Sequence, residues 1–474
     1  MKKKYWLLTL ILILAFFIRA WHIEILTSFQ GDQGRDLFAV YQIVAQHDLK
    51  FLGPPSTFGP YQGPLYYYFL VPGMFLSQLA PIGPLITAVI FNMLSLLLLY
   101  LLCERFLNSK VALIASFLFS LSPLVVETGR TLLNAYLGLP VFLGGLYVLL
   151  LMVLKNKLTS KYYAFLGFIA GSLVQIHFSF APFALFCLLM PFATNFGSKT
   201  RYYLWFAFMF ILASTPQILF EITHGFLSTK LLVISLSTAK AMTGSFSSFA
   251  SFFFSTVGYL FGKENFFFGL TIFIALVFGV KRNKFVSILW SYLLFFAIVV
   301  VVFRIRAEFP AYHYYTSVFP VLLILGAIFL GNLKVRPITA LVLIGFGILS
   351  VITLNLNRTT GFTMALNWNL KYMEEATDII SSDVQMVSNW NIASLMDGDT
   401  NGLPFRYLLA SKNAGNYLAF DQYPNSKILY LITREGESSI LQTNIWEVKS
   451  LRPFKFTKKW TIESGINIYR IERI

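Results

Sequence analysis

Long apolar runs alternate with short polar interruptions from the amino terminus to about residue 355, and there the alternation stops. Runs near the length of a membrane crossing fall at 5–21, 83–103, 111–127, 132–154, 161–178, 180–194, 201–220, 266–280, 285–303, 312–331 and 336–355. A helix needs about 20 apolar residues to cross the hydrocarbon core, so the pattern predicts a polytopic α-helical membrane protein with about eleven spans. Basic residues mark every second connection: the amino terminus, Arg105/Lys110, Lys155/Lys157/Lys161, Lys199/Arg201, Lys281/Arg282/Lys284 and Lys334/Arg336. The positive-inside rule then puts these connections in the cytoplasm and the alternate ones, with everything after Asn355, outside. Parity requires that 63–82 does not span. Pro64, Pro72-Gly73, Pro81 and Pro84 interrupt that stretch, and its tyrosines suit a boundary. It is expected to lie along the outer interface or to dip in and return. Segments 180–194 and 266–280 are short enough for half-helices.

The pattern divides the chain into a transmembrane domain, 1–357, and a soluble outer domain, 358–474. The transmembrane part carries two long outer loops, 22–82 and 221–265. In the second loop, Thr229 to Met242 has the make-up of an amphipathic helix on the outer leaflet, serving as a lid over a lipid-linked substrate or as a plain connector. In the outer domain, Lys371 to Ser381 predicts a helix. Val384–Val387, Ile428–Ile432 and Ile466–Ile471 predict strands, which together make a small α/β domain. That domain shows no nucleophile–base set and no phosphate loop. Asp397-Gly398-Asp399 has part of a calcium loop's pattern, but without the remaining spacing it reads as a turn.

Composition narrows the class. Of the 474 residues, 57% are hydrophobic and only 12% charged, about half the charged share of a soluble protein. The net charge of +16 sits largely in short loops, where it marks topology rather than a nucleic-acid groove. Met1-Lys2-Lys3-Lys4 and the apolar run behind it resemble a signal peptide, but bulky Ile18-Arg19-Ala20-Trp21-His22 follows, so an uncleaved first helix is expected. Cys103 and Cys187 lie in or beside apolar segments and read as fillers, without disulfide or metal-ligand spacing. Asn92, Gln175 and Gln217, polar residues inside spans, read as interhelical hydrogen-bonding groups.

Candidate chemistry gathers outside. The first outer loop contains Gly31-Asp32-Gln33-Gly34-Arg35-Asp36 and then Gly63-Pro64-Leu65-Tyr66-Tyr67-Tyr68. Leu37–Val44 has helical periodicity, which puts the charged cluster at or just before a helix amino terminus, where anions are favoured. A plain capping role for Asp32 or Asp36 is the alternative. Arg130, Arg304 and Arg306 lie in shorter outer connections against the general charge bias. They are candidates for phosphate pairing or for ion pairs with Glu127, Glu308 or a first-loop aspartate. His313 and His177 are candidates either for hydrogen-bonded interfacial positions or for function.

An outer-loop Asp32, an arginine three residues on and a later Pro-Leu-Tyr-Tyr segment resemble glycosyltransferase family 39. That family belongs to the C-type superfamily of polytopic transferases, with protein O-mannosyltransferases and the lipid A aminoarabinose transferase. The resemblance covers roughly 5–355 and is strongest at 28–70 and 122–145. By it, Asp32 matches the family's catalytic base and Arg35 an arginine that holds the donor phosphate. Gln62-Gly63-Pro64-Leu65-Tyr66-Tyr67 matches a Lys-Pro-Pro-Leu-Tyr-Tyr or His-Pro-Pro-Leu segment, Arg130 and Asn134 an Arg followed by Asp, and Tyr314, Tyr315 and Pro320 a late Tyr–Pro motif. Three departures stand out: Gln33 for an acid, Gln62 for a base and Asn134 for a second acid. They leave few hard anionic ligands for a divalent metal, so no cofactor is assigned.

The resemblance implies a plasma-membrane, multi-pass glycosyltransferase using a polyprenyl-phosphate sugar. The donor arrives through the membrane lipids, and a glycan, lipid or protein accepts the sugar. Asp32 is then the base, Asp36 a secondary carboxylate, and Arg35, Arg130, Arg304 and Arg306 the donor-phosphate partners. Gln33, Gln62, Tyr66, Tyr67, Asn134, His313 and Tyr314 are the substrate-binding candidates. The rival function is a transporter or flippase of a lipid-linked sugar. Such a protein usually carries mid-depth ionisable residues and paired repeats, and this chain shows neither.

Overall fold

The computed structural model describes residues 3–56, 59–155, 159–193, 200–238, 246–302, 311–384, 388–396 and 398–474. Each apolar segment of the sequence falls on a helix or on a bent helix pair. Lys3–Ala20, Ile82–Phe106, Ser160–Ile176, Ala181–Ala193, Phe266–Gly279, Lys284–Val302, Val318–Gly331 and Arg336–Leu354 are single helices. Asn134–Leu154 forms one long apolar stretch. Ser109–Leu121 with Pro123–Gly129, and Thr200–Ala213 with Thr215–Thr223, are bent at 65° and 67°. The first bend follows from Pro123, which cannot donate to the preceding turn. Among the described residues, four helices are long and apolar enough to cross a membrane by themselves, or six if each bent pair counts as one span. The run expected at 312–331 is divided: Tyr312–Tyr315 is a 3₁₀ turn, and the α-helix begins at Val318.

The stretch 63–82 contains one 12-residue helix, Leu65–Leu76, with Pro72 inside it. At 1.5 Å per residue it is about 18 Å long, well short of the roughly 30 Å of hydrocarbon. It packs beside Ile82–Phe106 and the loop helix Gly31–Gln46. In the second outer loop, Leu227–Thr238 is helical, capped by Glu221 accepting from the Ser228 and Thr229 amides; residues 239–242 of the expected helix lie outside the described residues. A further helix, Phe246–Leu260, which the sequence reading did not draw, packs on Phe266–Gly279.

Beyond residue 355 the chain forms a four-stranded sheet in the order β1-β2-β4-β3: β1 Trp390–Ser394, β2 Ile428–Thr433, β3 Phe454–Thr461 and β4 Asn467–Arg473. β1 and β2 are parallel; β4 runs antiparallel to both β2 and β3. The expected helix is present as Leu370–Asp383, and two of the expected strands as β2 and β4. Of the strand expected at 384–387, residues 385–387 lie outside the described ones; Val384 is the C-cap of the helix, and a strand is present at Trp390–Ser394.

This sheet unit is not packed apart from the rest. One apolar core joins Leu37, Val40 and Tyr66 of the segment 22–82 to Trp368, Ile392 and Phe405 beyond residue 357. A second core unites the membrane helices, with Cys103 and Cys187 buried in it as free thiols.

Candidate active site

The loop helix positions the charged cluster. Residues 32, 35 and 36 are spaced i, i+3, i+4, so they share a face in its first two turns. Arg35 Nη1 donates to Asp32 Oδ1 at 2.7 Å, while its Nη2 and Nε reach Asp36 Oδ1 at 2.8 and 2.9 Å. The two carboxylates differ in surroundings. The Asp32 side chain is 63% exposed and that of Asp36 only 2%. Burial drives the Asp36 carboxyl up to about 7; Arg35 opposes the rise and the Asp32 charge adds to it. For Arg35, burial works against the charge, but Asp36 and Asp32 outweigh it and hold the guanidinium protonated beyond its ordinary range.

The tyrosine helix closes one side. Tyr67 donates from its hydroxyl to Asp36 Oδ1 at 3.3 Å. Tyr66 is wholly buried, and its hydroxyl has no hydrogen-bond partner among the described residues. On another side the ring of His177 meets that of His313 edge-on at 5.3 Å between centroids, and His313 lies 4.2 Å from Tyr314. Burial pushes the His313 imidazole down to about 4, and the Asp32 charge partly opposes it.

Three amides form the framework. Gln33 is buried: its Oε1 accepts from Gln30 N at 2.9 Å and its Nε2 donates to Leu132 O at 3.0 Å. With both ends of the amide occupied, Gln33 latches the loop helix to the 130–134 segment. Gln62 and Asn134 are both buried and hydrogen-bonded to each other, and Asn134 Nδ2 also donates to Ile176 O at 2.8 Å. Two of the departures from the family pattern are therefore one coupled change: a neutral amide pair stands where that pattern has a base and an acid. Their substrate-binding role becomes one of holding the Gly63-Pro64 turn, whose Gly63 N donates to Gln175 O at 2.8 Å.

Arg130 does not join Arg35. It is fully buried, and Nη2 lies 2.7 Å from Glu127 Oε1. Arg358 reaches the other oxygen of the same carboxylate at 2.9 Å. Of the alternatives open in the sequence, the ion pair with Glu127 is the one formed, although Arg130 Nη1 keeps no partner among the described residues. Its backbone stays close to the site, since Thr27 Oγ1 donates to Arg130 O at 2.7 Å. Arg304, Arg306 and Glu308 lie outside the described residues.

The sequence reading missed two participants. Glu127, named there as a partner for one arginine, accepts from two, and the second, Arg358, directly after the last apolar run, was not considered. Asp399, read as part of a turn, sits against Gly31 at the start of the loop helix. Arg358 had a signal, an arginine against the charge bias just outside a span; Asp399 had none short of the tertiary fold. Among the described residues, no group of three or more His, Cys, Asp or Glu side chains is arranged to hold a metal ion.

Residues 61–220 match the family model "Dolichyl-phosphate-mannose-protein mannosyltransferase". No curated protein sequence matches the chain. Among solved structures, ArnT from Cupriavidus metallidurans bound to undecaprenyl phosphate superposes with a TM-score of 0.66 at 12% identity, covering 98% of this chain and 97% of that one. The apo state of the same protein gives 0.66 at 13% identity, with the same coverage. The Archaeoglobus fulgidus oligosaccharyltransferase, in complex with zinc and sulfate, gives 0.51 at 13% identity over 98% of this chain and 72% of that one. The resemblance to family 39 is borne out over residues 61–220, and the chain shares the fold of these solved structures; its apolar helices are those of a multi-pass membrane protein.

Proposed function

We propose that the protein is a membrane glycosyltransferase that moves a sugar from a polyprenyl-phosphate donor to an acceptor on the extracytoplasmic side of the plasma membrane. The amino terminus is cytoplasmic, eleven segments cross, and the 358–474 unit lies outside as a soluble domain. The observation that supports the reading best is the Asp32–Arg35–Asp36 cluster, in which an exposed carboxylate and a guanidinium 2.7 Å apart share one helix face. Transfer needs these two groups: a base for the acceptor hydroxyl and a fixed positive charge for the departing phosphate.

The reaction is a single inverting displacement. The acceptor oxygen attacks the anomeric carbon while Asp32 takes its proton. The bond from that carbon to the phosphate oxygen breaks, and polyprenyl phosphate leaves with the electron pair, facing Arg35. Asp36 holds Arg35 from behind through two hydrogen bonds to one oxygen. Tyr66, Tyr67, His313 and Tyr314 line the space for the sugar. Arg130, through its unpartnered Nη1, and Arg304 and Arg306 are secondary phosphate partners. An apolar cavity of about 330 Å³ between the membrane helices, walled by Leu118, Phe261, Ile272, Phe346 and Leu349, gives a lipid chain room in the same fold.

The test is release of polyprenyl phosphate by purified protein, given a set of polyprenyl-phosphate sugars and membranes of a strain lacking the protein. Transfer requires release together with a new glycosylated product. Movement of intact lipid-linked sugar across a vesicle membrane without release would establish a flippase instead.

A further inference from the structure

Beside the apolar contacts of Leu37 and Val40, the chain beyond residue 357 comes up against the loop helix along a stripe made by Gly31 and Gly34, one turn apart. A Cβ at Gly34 would fall 2.3 Å from Pro404 N and 2.5 Å from its Cα. Both obstacles are backbone, so no side-chain rotation relieves them. A Cβ at Gly31 would lie 2.9 Å from both Cβ and Oδ2 of Asp399. At 100° per residue this stripe lies on a different face from the one presenting residues 32, 35 and 36. The helix Leu403–Ser411 packs on the loop helix, and its Tyr407 hydroxyl reaches past it, donating to Leu79 O at 2.7 Å in the turn after Leu65–Leu76. Next to the stripe, Gln30 Nε2 donates to Thr363 O at 2.7 Å. Chain segments beyond residue 357 thus hold the helix at its amino-terminal end and along its side.

We propose that the carboxy-terminal unit is a positioning element of the reacting site: the seat of Gly34 on the Leu403–Pro404 backbone sets the rotation and depth of the loop helix, and with them the direction in which Asp32 and Arg35 face the substrates. This rests on the reading of the cluster as the reacting groups. Gly34 is then required because only a residue without a Cβ lets two backbones meet there. In the helix alone alanine is the better residue, so helix propensity and seating predict opposite outcomes for Gly34→Ala.

The experiment uses the full-length protein in lipid nanodiscs and measures three quantities: the number of undecaprenyl phosphate binding sites per molecule, the affinity for undecaprenyl phosphate, and polyprenyl phosphate release per binding site. Gly34→Ala is expected to lower release per site about 100-fold, the scale of a displacement near 1 Å, and to weaken the affinity. Gly144→Ala, at a helical glycine with nothing within 4 Å of the added atom, should change neither. A purely structural role would reduce the number of sites and leave affinity and release per site at wild-type values, and that result overturns the proposal. If Gly34→Ala yields no folded protein, Gln30→Ala decides. It removes the bond to Thr363 O that ties the start of the loop helix to the chain beyond residue 357, and release per site should fall about threefold to tenfold; wild-type release there overturns the proposal. If the wild type releases nothing from any donor, the reading of the activity fails by itself. Positioning is then judged by affinity alone, which drops in Gly34→Ala if the seat aims Arg35 and stays constant if it does not.

Discussion

Asp32–Arg35 and Glu127–Arg130 are both acid–arginine pairs three residues apart, and in both the closest nitrogen–oxygen distance is 2.7 Å. Burial separates them. The first pair has side-chain exposures of 63% and 28%, the second 0% and 0%. An exposed pair gains little stability from its charges and keeps them available to a third party. A buried pair has lost its hydration and depends on each partner staying in place. Spacing alone therefore says that a pair forms; the surroundings decide whether it serves the reaction or the scaffold.

The largest effect expected separates those two uses. Asp32→Asn should reduce transfer by roughly 10²–10⁴-fold, the usual contribution of a positioned base, with an unchanged thermal midpoint. Near-normal transfer would remove Asp32 from its role. Glu127→Ala should do the converse and destabilise the fold by about 3–5 kcal/mol, because it strands the Arg130 and Arg358 charges; thermal unfolding in detergent reads it. Equal sensitivity of fold and turnover in both variants would erase the contrast.

A third comparison lies within the exposed cluster. The Asp36 carboxyl stands at about 7, against an ordinary value of 3.8. Between these values the folded protein binds more protons than the unfolded chain, so this group's contribution to stability is full below about pH 4 and is lost as pH rises to about 7. The thermal midpoint of the wild type should carry that downward slope, and Asp36→Asn should flatten it. The smallest effect belongs to the latch. Gln33→Ala leaves Gln30 N and Leu132 O without their partner, so a loss of about 1–3 kcal/mol in stability is expected. Loss of transfer without loss of stability would return Gln33 to the substrate-binding set.

Much of the membrane part was legible because a span is announced by its own residues: an apolar run defines a helix whatever surrounds it. β2 and β4 were legible for a similar reason, being Ile- and Tyr-rich stretches bounded by turn residues. β1 was not: it holds Asn391, a poor strand residue by itself, whose side chain is satisfied only in the fold by Arg406 and Ala419. Periodicity announced a helix over Leu37–Val44 with the charged cluster at or just before its amino terminus; the start at Gly31, which puts 32, 35 and 36 on one face, needed the structure. The partner of Arg130 did not, since phosphate and Glu127 present the same chemistry to a guanidinium and only the fold chooses between them. The seat of Gly34 on Pro404 joins positions 370 residues apart, and nothing local at either end reports it.

The Gln62–Asn134 bond has a consequence for the working range of the protein. Two carboxamides carry no proton to gain or lose and no field for salt to screen, so the turn that leads into Tyr66 and Tyr67 should keep its shape from acid to alkaline surroundings and from dilute to briny ones. What is given up is a charge: the corner that holds a lysine or histidine in the family pattern brings no cation of its own to the phosphate, and that task passes to arginines elsewhere in the fold.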